Sequence, residues 1–419
     1  MSRVEERPVA TNHGPIEVLI PEARQRARRR RTVTGLVVLG ALIVIAGVLV
    51  AVGGNEIIPK PSSANGPGSA VATNVTTDNV ANLAGSNTIT ASGSHVWVAI
   101  DNTNWTSHPL TTSYEVVELN SSNGRLVRII HNKSGDLTWP EAMAVSGSHL
   151  WVADNQFWNV TELNASNGSL VRVIRAKADG LADPGAIAVS GGHVWVANSH
   201  VGANSVTELN ASDGSLVRVI NAKADELKGP SAIAISGSHV FVLNATGDSI
   251  TELDANSGAL IRIINPRAGC CAPRSGTFEW AGPVAIAVSG PHLWVGDLHN
   301  DANGATSVSS VAEFNVSNGS LVRVINAKGD QFKGPSAIAI SGSHVFVLNA
   351  AGGSITELNA SNGSLVRVIN VKLDPKGLNA ADGLAVSGPY IVVLNIYSGQ
   401  KGSVTVINAS NGRLVRVIQ

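Results

Sequence analysis

The sequence predicts an all-β protein, a seven-bladed β-propeller with four antiparallel strands per blade, preceded by one transmembrane helix. Three observations carry this. A unit of about fifty residues recurs seven times after residue 84. Each unit contains four short runs rich in Val and Ile. One uncharged apolar segment of about twenty residues precedes the repeats, flanked by arginines.

Residues 1–32 hold eight Arg and four Glu, a net +4, so the remaining residues carry −4 and the whole chain of 419 residues is neutral. Residues 33–53 carry no charge and match a bilayer-spanning helix at about 1.5 Å rise per residue. The basic cluster Arg24–Arg31 places residues 1–32 in the cytoplasm as a short tail. The membrane partner is therefore the lipid bilayer, met through residues 33–53, and the rest of the chain is expected outside the cytoplasm. A cleaved signal peptide is the alternative, with a weak site at Ala51-Val52-Gly53. Residues 54–83 read as a Gly/Pro/Ser/Asn-rich linker, with a short strand expected at 71–77.

Residues 84–419 are expected to form the propeller. A glycine before the second strand falls at Gly93, Gly147, Gly191, Gly237, Gly290, Gly342 and Gly388. In the fourth unit strand a is expected at 232–236, b at 239–244, c at 249–254 and d at 260–265. The a–b links are tight, and five of the c–d links contain Asn-Gly, which supplies the positive φ angles of hairpin turns. A β-solenoid is the competing architecture, but its repeats are shorter and need no such turns.

The pattern P-x-A-I-A-V, then H-V-W-V-A-N/D, then S-V-T-E-L-N resembles the NHL-repeat and YVTN (YncE-like) β-propellers over residues 84–419. That resemblance implies a rigid display scaffold of the kind found in protein-binding, surface-layer and sensor domains. Related propellers include enzymes. One departure is that no strand is visibly shared between the chain ends, so ring closure is expected from packing of the first blade on the last.

The repeated positions read as structural. Trp97, Trp151, Trp195, Phe241, Trp294 and Phe346 on strand b are expected in the core between blades. His95, His149, His193, His239, His292 and His344 at the a–b corner are expected to bond the local backbone. Glu118, Glu162, Glu208, Glu252, Glu313 and Glu357 on strand c are expected to form surface ion pairs with the arginines of strand d. The Asp or Asn ending strand b is expected to open an Asx turn, with an ion- or ligand-binding ring as the alternative.

The a–b and c–d turns hardly vary, whereas the b–c and d–a loops vary strongly, and binding residues favour variable loops on a rigid scaffold. The candidate ligand-binding residues are therefore Trp105, His108, Asn155, Trp158, His200, His299 and Asp301 of the b–c loops, with Trp139 and Trp280 of the d–a loops. Exposed Trp residues anchor interfaces and stack on sugars. A three-His metal site from His108, His200 and His299 is conceivable, but no ligand spacing supports it, and no cofactor is assigned. The vicinal pair Cys270-Cys271 offers a strained disulfide, free thiols or intermolecular bonds. The Asn-x-Ser/Thr triplets mark glycosylation only in a host that uses that sequon.

Charged residues make up only 14% of the chain and balance at 30 Lys+Arg against 30 Asp+Glu, which argues against a nucleic-acid binder, since that should carry a basic face. No nucleophile–base motif or close carboxylate pair appears, and no catalytic residue is assigned. The reading favours a membrane-anchored, extracytoplasmic module that binds protein or cell-surface glycan. A metal-dependent hydrolase or lactonase-like enzyme at the channel mouth and a structural surface-layer protein are the alternatives.

Overall fold

The computed structural model describes residues 83, 86–101, 113–131, 137–175, 180–200, 204–221, 227–265, 283–300, 307–326, 332–370, 381–395 and 402–418. The basic tail, the apolar segment 33–53 and the strand expected at 71–77 lie outside them. Within the described residues twenty-eight strands form seven antiparallel sheets of four, each sheet built from four consecutive strands. This is the seven-bladed propeller that the repeats predict.

Strand a is innermost in every blade. Its seven copies begin at Ser86, Pro140, Pro184, Pro230, Pro283, Pro335 and Ala381, and each neighbours the next around the ring, the last returning to the first. Strand d is outermost, and its leading Leu-Val or Leu-Ile pair is largely exposed. Blade 5 departs from the repeat. Its strands b and c (His292–Asn300 and Ser307–Asn315) run nine residues each, so this b–c hairpin continues past the others.

The core lies between blades. The aromatic of strand b is buried against the next blade, as expected: Trp151 packs on Ile187, Val194 and Val196, and Phe241 packs on Ile286, Leu293 and Val295. In blade 7 Val392 takes this place and packs on Ile89, Val96 and Val98 of blade 1. Ring closure therefore rests on packing, with Leu83 and Ile418 in the same cluster. It is reinforced by a hydrogen bond from Ser387 Oγ to the Gly93 carbonyl at 2.6 Å.

The histidine, glutamate and arginine repeats form one network, which corrects two expectations. Residues two apart on strand b share a face, and Glu of strand c lies opposite the buried aromatic, as Glu162 lies opposite Trp151. The glutamates are consequently buried, not on the surface. One carboxylate oxygen meets the His Nδ1 at 2.5–2.7 Å in six blades, so these imidazoles partner a carboxylate instead of the backbone. The other oxygen forms an ion pair with Arg Nε, at 2.7 Å for Arg172. His149 further stacks on Trp151 at 6.5 Å. The same arginine crosses to the following blade: Arg172 Nη2 donates to the Ser212 carbonyl at 3.0 Å. Burial raises the Glu208 carboxyl above its ordinary value, while Arg218 and His193 pull it the other way.

The c–d turn also differs in detail from a two-residue hairpin. Only its glycine is left-handed, at φ +75° for Gly168, and that glycine's N–H closes onto the Asn164 carbonyl four residues back. A side chain at Gly168 would also strike Arg128 and Ile130 of the preceding blade.

Candidate functional site

In blades 2, 3, 4 and 6 the Asp or Asn ending strand b is a buried pin instead of the opening of an Asx turn. Asn244 Nδ2 donates to Thr251 Oγ1 at 2.9 Å, and its Oδ1 accepts from the Lys228 backbone N–H at 3.2 Å. Asn198 does the same with Thr207 and the Ala182 N–H, while Asp154 accepts at both ends, from Thr161 Oγ1 at its Oδ2 and from the Thr138 N–H at its Oδ1. Each pin ties the incoming d–a loop to the base of the b–c turn. A further backbone bond joins the two loops, from Asn155 N–H to the Trp139 carbonyl in blade 2 and from Ala245 N–H to the Gly229 carbonyl in blade 4. The variable face is therefore held rigidly where it is described.

On that frame blades 1 to 3 gather four of the predicted residues at one corner. Asn155 and Trp158 lie on the blade 2 b–c turn, Trp139 precedes strand a of blade 2, and His200 follows strand b of blade 3. The Trp158 and His200 rings are 5.0 Å apart and tilted. The Trp139 ring lies 6.4 Å from Tyr114 of blade 1, whose hydroxyl donates to Gln156 Oε1 at 3.4 Å. Asn155 Nδ2 donates to Asp183 Oδ1 of blade 3. Phe157 at the tip is 62% exposed and Trp158 37%. Sequence reasoning did not count Tyr114, Gln156 or Asp183 in the site. Phe157 was legible as an aromatic in a short polar loop.

Backbone conformation singles out this corner. The described non-glycine residues at positive φ are Trp139 (+101°), Trp158 (+53°), Asp183 (+59°) and Asp248 (+48°), and three of these four belong to it. The left-handed region costs an L-residue about 1–2 kcal/mol. Such conformations concentrate where function overrides folding preference.

His299 lies on the projecting hairpin of blade 5, away from this corner in the ring order. Trp105, His108, Trp280, Asp301 and the Cys270-Cys271 pair lie outside the described residues. Among the described residues no group of three or more His, Cys, Asp and Glu is arranged to hold a metal ion. A separate acidic feature lies on the innermost strands. Asp382 of blade 7 and Glu141 of blade 2 are both second residues of strand a. Burial, with the Glu141 carboxylate adding to it, pushes the Asp382 carboxyl up to about 7.

No protein-family model matches the chain, and no curated protein matches it. Solved structures share the architecture. The hydrazine synthase of Kuenenia stuttgartiensis is similar at 18% identity and a TM-score of 0.59, over 78% of this chain and 97% of that one. The WD40 domain of Neurospora crassa Pan2 is similar at 11% identity and a TM-score of 0.51, over 74% and 86%. A functionally unknown protein of Desulfotomaculum acetoxidans is similar at 14% identity and a TM-score of 0.51, over 72% and 91%. At these identities the likeness is one of fold alone.

Proposed function

We propose that this protein is a membrane-anchored propeller that displays its b–c/d–a face outside the cytoplasm and binds protein or cell-surface glycan there. The anchor is the apolar segment 33–53, and the arginines before it set the orientation. The repeat pattern's likeness to NHL and YVTN propellers supports the scaffold role. The observation that carries the binding role is the blade 2 corner, where Phe157 and Trp158 are exposed side by side and Trp158 sits on left-handed backbone. A core has no use for Phe157 in water, whereas an interface gains from rigid aromatic anchors.

Two measurements test this. Protease added outside intact cells should remove the propeller and spare residues 1–32, and complete protection would sink the topology. Full-length chain with residues 102–113 and 155–158 replaced by Gly/Ser linkers should no longer retain cell-envelope material that the unaltered chain retains. Equal retention would sink the placement of the site.

A further inference from the structure

We propose that the blade 2 corner is a carbohydrate subsite in which Phe157, Trp158 and His200 take the apolar face of a neutral sugar ring while Asn155 and Gln156 hold its hydroxyls. This rests on the binding reading above and names the ligand class. The argument starts from three equivalent turns. The b–c turn has four residues in blades 2, 4 and 6: Asn-Gln-Phe-Trp at 155–158, Ala-Thr-Gly-Asp at 245–248 and Ala-Ala-Gly-Gly at 350–353. The last residue is left-handed in all three, at φ +53°, +48° and +61°. Blades 4 and 6 fill the last two positions with Gly-Asp and Gly-Gly, residues suited to that backbone. Blade 2 alone of the three puts Phe-Trp there.

Neither folding nor the core asks for this pair. Trp158 is disfavoured by its backbone and still more than a third exposed, and Phe157 is mostly in water. A side chain that the fold disfavours twice is explained by what it meets in the bound state.

Size and chemistry select the ligand. Exposed to 62% and 37%, the two rings offer roughly 200 Å². A stable protein interface needs about 800 Å² per partner. The flanking groups are amides fixed by their partners: Asn155 Nδ2 is held by Asp183, and Gln156 Oε1 by Tyr114. Asn155 Oδ1 and Gln156 Nε2 are then an oriented acceptor and donor without charge. The acid at the corner, Asp183, is buried and already accepts from Asn155. A flat apolar surface bordered by uncharged donors and acceptors is complementary to a neutral pyranose, which has one C–H face and a rim of hydroxyls.

The test uses the full-length chain in a sugar-free detergent, probed with chitohexaose, cellohexaose and mannohexaose by calorimetry and saturation-transfer NMR. The control variant is F157G/W158D, which gives blade 2 the Gly-Asp of blade 4, a pair this fold already carries. Saturable binding of at least one oligosaccharide, weakened tenfold or more in the variant with an unfolding midpoint unchanged or raised, is the expected result. No binding of any of the three, or equal binding by the variant, overturns the proposal. If the variant binds no sugar differently yet loses retention of a protein partner, the sugar class falls and the binding role stands. A lowered midpoint with no sugar bound would make the aromatics a structural cap and overturn both.

Discussion

Arg416 of the last blade lies directly over Gly124 of the first. A β-carbon on Gly124 would come within 2.5 Å of Arg416 Cδ and 2.9 Å of Ile418 Cδ1. The contact repeats the one made by every arginine on the following blade's turn glycine, such as Arg172 on Gly214. Here it also joins the two ends of the ring.

Gly124→Ala should therefore destabilise the propeller more than Gly93→Ala. Both glycines are left-handed, at φ +65° and +58°, so both substitutions carry the conformational penalty of about 1 kcal/mol. Nothing lies within 4 Å of a β-carbon at Gly93. At Gly124 the added methyl must displace the closing side chains, a further 1–3 kcal/mol or so. Denaturant unfolding of the two variants measures the difference. Equal losses would mean that blade 7 is not seated on blade 1 in this way.

The His–Glu–Arg network predicts an asymmetric response within one blade. Glu162 is fully buried between His149 and Arg172, whose side chains are 45% and 26% exposed. Glu162→Ala strips a partly buried arginine of its carboxylate and should cost about 2–3 kcal/mol, below the range for a fully buried pair because Arg172 retains water. His149→Ala should cost about 1 kcal/mol or less. Blade 7 supplies the rescue. There Tyr390 and Val406 stand in the places of the histidine and glutamate, and Val406 packs in the core beside Tyr390. His149→Tyr with Glu162→Val should recover at least half of what Glu162→Ala loses. An unrecovered loss would mean that blade 7 relies on features that blade 2 lacks.

These networks mark how far the sequence was legible. The strands and the inter-blade aromatics followed from period-two patterning repeated seven times, and their places are as expected. The burial of Glu162 did not follow, because a charged residue on strand c reads as solvent-facing until its cross-strand partner is known to be Trp151. That register could have been taken from the b–c turn length. The site was half legible. Trp158 stood out as an aromatic in a variable loop, and aligning 155–158 with 350–353 exposes it as a replacement of Gly353. Tyr114 and Asp183 gave no such signal, since their part in the corner depends on the order of neighbouring blades.

The outer strands predict an effect on association, not on stability. Val171, Val217 and Val366 are exposed near the start of strand d, each on the free edge of its sheet. Open apolar edges promote edge-to-edge pairing, and a lysine blocks it. The triple variant V171K/V217K/V366K should keep its unfolding free energy within about 0.5 kcal/mol per site. It should also show less self-association by light scattering as concentration rises. Unchanged scattering would show that strand d's arginines already protect these edges.

Asp382 predicts a pH dependence with a definite sign. Its carboxyl titrates near 7 in the folded chain against 3.8 for an ordinary aspartate, chiefly through burial, with the Glu141 carboxylate adding to it. The folded state thus holds a proton that the unfolded chain has released. The stabilisation is complete below pH 3.8, declines as pH rises through the interval, and is lost above about 7. A difference of this size corresponds to at most about 4 kcal/mol. Asp382→Asn, which is neutral throughout, should flatten the fall in stability between pH 4 and pH 7 and make the chain more stable than the wild type at pH 8. Glu141→Gln removes the second, smaller cause and should shift the fall to lower pH without abolishing it. Denaturant midpoints across pH 4–8 for the three chains decide the matter. A wild-type midpoint that does not drop over this interval would show that the Asp382 carboxylate is solvated at the channel mouth.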